Sequence, residues 1–399
     1  MFQKINLDYI YKYLIIFLAF LMPLTVAGAN IIITLISLIW LLSGNYKGKF
    51  SHIFSSKLMI ASIVFYCIHI FGMFWTEDIA WGFEVLHKMW YFILLWPILF
   101  NIMNKKHVKY YIAAFFLAIS ITEVISYLVW FEIIPPFKNA TVSNPTPFMS
   151  HISYNPILAF AIYLLGHEVI FSPRLNKYRR YLYSFFLITM SVNMFITGGR
   201  AGQIMYFAVV SLLIFQYFRS QVIKGFIVSC IVVGGIFFTA YQTSDIFNKR
   251  ANDAIENIKS YESNKNTPVG QRITWAVNSW EVIMDNPLLG IGTGDFPNEY
   301  LKVNKKNTPQ VVSTTNPHNM YILILMQLGF IGLVSFLFIF YYQIVYSFRS
   351  QKKFYRDVGL AIPLLFLLIM FSESYLLGHY TSLVYVFFSS FLYKDLEKS

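Results

Sequence analysis

Apolar residues run along this chain in long blocks, broken by short polar stretches. A helix of about 20 apolar residues crosses a bilayer, because it satisfies its own backbone hydrogen bonds where no water is present. About 12 blocks meet that description; they lie near 11–27, 29–43, 57–74, 82–101, 108–131, 154–171, 180–197, 201–218, 222–240, 319–347, 355–376 and 379–393. The pattern predicts an all-α polytopic membrane protein with about 12 transmembrane helices.

One stretch interrupts the apolar blocks for much longer than the others. Residues 241–318 form a single large loop, so the chain divides into spans one to nine (1–240), the loop (241–318), and spans ten to twelve with the C-terminus (319–399). Within the loop, 245–261 and 271–284 have helical spacing. Trp275, Ser279 and Ile283 recur at i, i+4 and i+8, with Trp280 and Met284 alongside. This pattern predicts an amphipathic helix able to lie on the membrane surface. Asn286-Pro287 ends it, and Gly290-Ile291-Gly292-Thr293-Gly294 predicts an irregular turn.

Composition agrees with the bilayer as solvent: 57% of residues are hydrophobic and 13% charged, against about a quarter charged in soluble domains. The net charge of +12 raises nucleic acid as a partner, but the basic residues follow the membrane instead. Most of the Lys and Arg fall in one alternate set of connections, from Lys4 and Lys12 through Lys47, Lys105, Arg174, Arg219 and Arg349 to Lys394 and Lys398. By the positive-inside rule both termini are cytoplasmic and the large loop is on the outer side. Cys67 and Cys230 lie in apolar runs, far from any partner at disulfide or metal spacing, and read as small buried hydrophobes. Lys4 and Lys12 precede an apolar run without a small-residue cleavage site, so the first block reads as a retained anchor.

Three short motifs at the predicted outer face can carry chemistry. Thr197-Gly198-Gly199-Arg200-Ala201-Gly202 is a glycine-rich break before a helix whose first N–H groups and dipole attract anions. Arg200 adds a guanidinium on the side that is otherwise poor in Lys and Arg; a snorkelling interfacial arginine is the alternative. Gly270-Gln271-Arg272 opens the amphipathic loop helix. A cation opposes the dipole there, which suggests that Arg272 grips phosphate oxygens, either of a substrate or of ordinary headgroups. Pro317-His318-Asn319 stands where the loop re-enters the membrane. Histidine, with an ordinary pKa of about 6.5, transfers protons near neutral pH, although a capping or interfacial role is open as well.

His151 and Glu373 lie near the outer ends of spans, where ionisable groups either line a cavity or are paired. The run from Gly290 to Gly294 follows no strand, so it is no dinucleotide fingerprint. No His/Cys/Asp/Glu cluster has zinc spacing, and neither a metal nor a cofactor is implied.

Taken together these motifs resemble the O-antigen ligase family of bacterial envelope glycosyltransferases. The family pattern of His, then Asn, Ser or Gln, nine residues, Gly, two residues and then Gly, Thr or Tyr is matched by His318-Asn319, Gly329 and Gly332. An Asn-Pro-Leu-x-Gly-x-Gly segment is matched by Asn286-Pro287-Leu288-Leu289-Gly290-Ile291-Gly292. Gly199 stands where Ser often precedes the first family arginine.

The resemblance implies a GT-C-like fold in the bacterial inner membrane, with the large loop and active site in the periplasm. It further implies an undecaprenyl-diphosphate-linked glycan donor, a lipid A-core acceptor and no metal or cofactor. Arg200 and Arg272 would bind the diphosphate and His318 would be the general base, with Asn319, and less directly His151 and Glu373, in substrate binding. O-antigen polymerases and protein O-oligosaccharyltransferases share this layout. A lipid-linked glycan transporter is the alternative of another class, although transporters place their ionisable residues deeper in the spans.

Overall fold

The computed structural model of the protein describes residues 7–138, 140–394 and 396. Lys4 and Lys398, which entered the topology argument, lie outside the described residues. Among those described, the regular structure is helical, with one isolated bridge between Thr141 and Asn144.

The helices in chain order are α1 (Leu7–Leu21), α2 (Val26–Leu42), α3 (Tyr46–Phe54), α4 (Lys57–Gly72), α5 (Ile79–Met89) and α6 (Leu95–Ile102). Next come α7 (Val108–Trp130), α8 (His151–Phe171), α9 (Lys177–Ile196), α10 (Arg200–Tyr217), α11 (Val222–Thr243) and α12 (Asp245–Lys259). The last are α13 (Pro268–Asp285), α14 (Phe296–Asn307), α15 (Met320–Arg349), α16 (Lys353–Ile369) and α17 (His379–Leu392).

Helices occupy every range in which the apolar pattern placed a span, but among the described residues six segments are long and apolar enough to cross a membrane unaided: those at 57–75, 79–102, 105–130, 151–171, 222–243 and 320–349. Joining α2 to α3, which bend by 116°, gives a seventh. The shortfall from about 12 has a local cause. α1, α16 and α17 are 15, 17 and 14 residues long, and Lys177, Arg179 and Arg180 make the first turn of α9 strongly polar. Cys67 and Cys230 correct the sequence reading, for both are exposed. In a membrane helix an apolar run can face lipid, so it need not be covered by protein.

The chain forms two compact units: residues 1–36 with 104–252, and residues 37–103 with 253–399. In the first, α8 is buried along most of its length against α9 and α10. Its polar side chains are satisfied by hydrogen bonds across helices. The Tyr154 hydroxyl donates to Asn193 Oδ1 at 2.9 Å, and Asn193 Nδ2 donates to Ser126 Oγ at 3.0 Å, tying α8, α9 and α7 together.

In the second unit α15 packs on α4 and α16, and α17 packs on α6. α15 is not one straight rod. Gly329 interrupts it with φ 61° and ψ −160°, a conformation open essentially to glycine alone. Such a break frees backbone groups that must find other partners. The stretch 287–292 supplies them: Phe330 N–H donates to the Pro287 carbonyl at 2.8 Å and Ile331 N–H to that of Leu288 at 3.3 Å. In return Ile291 and Gly292 N–H donate to the Met326 and Gln327 carbonyls, both at 3.0 Å. The two glycine motifs read separately from the sequence are thus the two halves of one clasp.

The clasp is anchored onward to α4. Gln327 Nε2 donates to the Thr293 carbonyl at 2.6 Å, Thr293 Oγ1 to the His69 carbonyl at 2.7 Å, and Glu77 and Asp78 N–H to the Asp295 carboxylate.

Candidate active site

Three features of the loop helices differ from the sequence expectation. α13 begins at Pro268 with Thr267 as its cap, whose side chain accepts from Gly270 N–H. Arg272 therefore sits in the second turn, and the argument from an opposed helix dipole does not apply to it. Trp275 and Ile283, with 8% and 1% exposure, face the protein with Ser279, whereas Trp280 and Met284, at 49% and 60%, face outward. The expected stripe is two faces. The inward face packs with Phe296 and Tyr300 of α14, a helix the sequence pattern did not reveal, and with Leu323 and Met326 of α15.

This packing delivers α13 to His318. The Trp275 ring stacks on the imidazole at 5.2 Å and 26°, and its Nε1–H donates to the Val312 carbonyl at 3.0 Å. His318 has φ 51°, which a residue with a side chain adopts only when its surroundings impose it. Asn316 imposes it here: its Oδ1 accepts from His318 N–H at 2.9 Å and from Ser374 Oγ at 2.9 Å. Asn319 then starts α15 by capping, its Oδ1 accepting from Tyr321 and Ile322 N–H while its Nδ2 donates to the Phe371 carbonyl.

His318 Nδ1 lies 2.6 Å from Glu373 Oε2. The other carboxylate oxygen accepts from Ser374 N–H at 2.9 Å and faces Asn316 Nδ2 at 3.5 Å. A carboxylate only accepts, so Nδ1 carries the hydrogen, and Nε2 is the ring nitrogen that a neutral imidazole would offer as a base. Arg272, one turn before Trp275, places its charge within reach of Tyr375. The buried Tyr375 hydroxyl is pushed well above its ordinary range by burial and then by the Glu373 carboxylate, with Arg272 opposing. Arg272, His318, Asn319 and Glu373 are thus gathered in one unit.

His151 and Arg200 belong to the other unit. Arg200 is the first residue of α10, after the Gly198-Gly199 turn. Asn155 holds that turn: its Oδ1 accepts from Thr197 Oγ1 at 2.8 Å and its Nδ2 donates to the Gly199 carbonyl at 3.3 Å. Gly198 N–H donates to Asn144 Oδ1 at 2.8 Å. Gly202 lets α10 close on α8, since a Cβ there would stand 2.1 Å from that of Asn155. Arg250 of α12 is the addition that sequence reasoning missed. Its guanidinium lies 3.2 Å from where a Gly198 Cβ would be, and its charge reaches His151. In the same unit an elongated apolar cleft of about 1170 Å³ runs beside the α9–α10 hairpin, lined by Phe195, Ile196, Tyr206, Leu213 and Gly235 and reaching Asp245.

Residues 185–337 match the family model described as O-antigen ligase. The match covers less than half of the chain and marks this segment as similar to the O-antigen ligase family. The ligase-family segment takes in Arg200, Arg250, Arg272, His318 and the whole Gly290–Gly329 clasp, whereas His151, Asn155 and Glu373 fall outside it. The ligase family consists of glycosyltransferase-like enzymes of bacterial membranes. No curated protein matches the chain. Among the described residues no group of three or more His, Cys, Asp or Glu is placed to hold a metal ion.

Proposed function

We propose that this protein is an O-antigen ligase, transferring a glycan from undecaprenyl diphosphate to a sugar hydroxyl of lipid A-core at the periplasmic face of the inner membrane. The observation that carries the reading is the His318–Glu373 pair at 2.6 Å, whose histidine lies in the segment that matches the ligase family. A carboxylate behind the imidazole fixes the tautomer and steadies the cation that forms when Nε2 takes a proton.

In this reading Nε2 removes the proton of the acceptor hydroxyl as its oxygen attacks the anomeric carbon. The bond from that carbon to the diphosphate oxygen breaks, its electrons leave with the diphosphate, and the configuration inverts. Arg272, on the helix that also bears Trp275, neutralises the leaving charge by bidentate hydrogen bonding. In the first unit Arg200 and Arg250 offer guanidinium charge for phosphate at an α10 N-terminus, and the apolar cleft suits a lipid tail. Asn319 is assigned to capping here, since its side chain is committed to α15 and to Phe371.

The test is transfer by the purified full-length protein given lipid-linked glycan with and without lipid A-core. Ligation predicts product only when core is present. Chain extension without core would identify a polymerase and overturn the reading.

A further inference from the structure

We infer that the outward face of α13 and the clasp beside it form a surface that beds in the acyl chains of the lipid leaflet nearest His318, so that α13 is an in-plane membrane helix. Val277, Trp280 and Met284 recur at i, i+3 and i+7 on that face, and Leu288 and Leu289 extend the row into the clasp. All five are exposed, with no protein element over them.

Continuity with a membrane span identifies the occupant. Residues 323–328 of α15 are all buried, but immediately past Gly329 exposed apolar side chains appear with helical spacing at Phe330, Ile331, Val334 and Phe338. From the break to its end α15 measures about 30 Å at about 1.5 Å per residue, the thickness of a hydrocarbon core. A groove of about 660 Å³ between α4 and α15, lined by Val64, Ile68, Phe330, Ile331 and Val334, marks this side of the helix pair as lipid-facing. Leu288 is joined to Ile331 by a backbone hydrogen bond of 3.3 Å, so past the exposed Asp285 and Asn286 at the end of α13 the row meets the lipid-facing surface of α15.

The polar requirement is met as well. Irregular backbone is tolerated at membrane depth only when its hydrogen bonds are satisfied by protein, and the clasp pairs its amides and carbonyls with those of α15. The boundary of the leaflet therefore runs at Gly329. It sets the depth of α13, and through Trp275 the depth of His318. The inference rests on α4 and α15 being membrane spans, not on the reaction assigned to the site.

The experiment uses full-length protein in phosphatidylcholine vesicles, with Cys67 and Cys230 replaced by serine and single nitroxide labels at Met284→Cys, Leu288→Cys, Ile331→Cys and Lys305→Cys. Positions 284 and 288 are expected to match 331, with an oxygen-to-nickel-chelate collision ratio several-fold above that of the exposed 305. A ratio at 284 and 288 equal to that at 305, with 331 in lipid, overturns the inference alone; a water-like ratio at 331 removes the spanning reading with it. Shielding from both reagents would assign the patch to a protein partner and overturn the inference too. In unlabelled protein, Trp280→Phe is expected to remove a distinct share of the fluorescence quenching by brominated lipid, and no change on that substitution counts against it.

Discussion

Glu373 holds His318 through Nδ1 at 2.6 Å while Trp275 covers the face of the same ring at 5.2 Å. One partner sets the tautomer and the other the plane, so the position and direction of Nε2 are both fixed before any substrate arrives. Glu373→Gln keeps the shape, but its amide can present an N–H to Nδ1 and so turn the hydrogen to Nε2. Transfer is expected to fall by about 100-fold or more in kcat, the scale of general-base catalysis, with donor KM little changed. Initial rates with a fixed lipid-linked donor measure this. A variant within about twofold of the parent would remove Glu373 from the mechanism.

Arg250 was invisible as a candidate in the sequence because it is one of several basic residues in a long loop, and nothing in its spacing ties it to Gly198. In the structure its guanidinium lies 3.2 Å from where a Gly198 Cβ would be. A guanidinium hydrogen bond to a charged oxygen is worth about 1.5–3 kcal/mol. Arg250→Ala and Arg200→Ala are each expected to lower kcat/KM for the donor about 10- to 100-fold, mainly through KM for Arg250. Lysine at either position should restore part of the loss, as a point charge without the bidentate fork. Saturation curves in donor concentration decide it; an Arg250→Ala curve that overlays the parent would show that the guanidinium serves only to cover the turn.

The parts legible in the sequence were those that follow from periodicity and from ionisable residues in unusual places. Helices stand at all the apolar blocks, and Arg272, His318 and Glu373 do share one unit. What periodicity cannot show is which partner a face meets. Trp275 and Trp280 are both apolar positions of one amphipathic helix, yet one stacks on His318 and the other is exposed, because α14 and α15 lie on one side only. Asn316 and Asn155 were likewise unreadable. Each is an asparagine before a proline, a pattern that signals a turn, and its function comes from the residues that the fold brings to it.

Asn155 gives such a contact a measurable consequence. It is fully buried and bridges Thr197 and the Gly199 carbonyl. Asn155→Ala leaves both groups buried without that partner, at about 1–3 kcal/mol, and loosens the turn that starts α10. The thermal midpoint in detergent is expected to drop by several degrees and donor KM to rise along with it. If the midpoint falls while KM is unchanged, the asparagine braces the helices without placing Arg200.

The clasp makes the most demanding claim on particular residues. Gly290 has φ 69° and Gly329 φ 61°, and a Cβ at either would stand 2.4 Å and 2.3 Å from the carbonyl carbons of Gln327 and Leu288 respectively. Backbone cannot yield as a flexible side chain does, and the disfavoured φ adds about 1–3 kcal/mol of strain at each position. Gly290→Ala and Gly329→Ala are therefore expected to part α15 from the 287–292 segment and to carry α13, with Arg272 and Trp275, away from His318. The prediction is loss of transfer together with protease sensitivity confined to the stretch between α13 and α14. Gly234→Ala and Gly235→Ala in α11 are the matched controls, since a Cβ at either meets nothing within 4 Å. An interior helical glycine gains about 0.5–1 kcal/mol on becoming alanine, so these two should accumulate and transfer as the parent does. Equal behaviour of all four variants would mean that the glycines of the clasp are not what holds α15 open at Gly329.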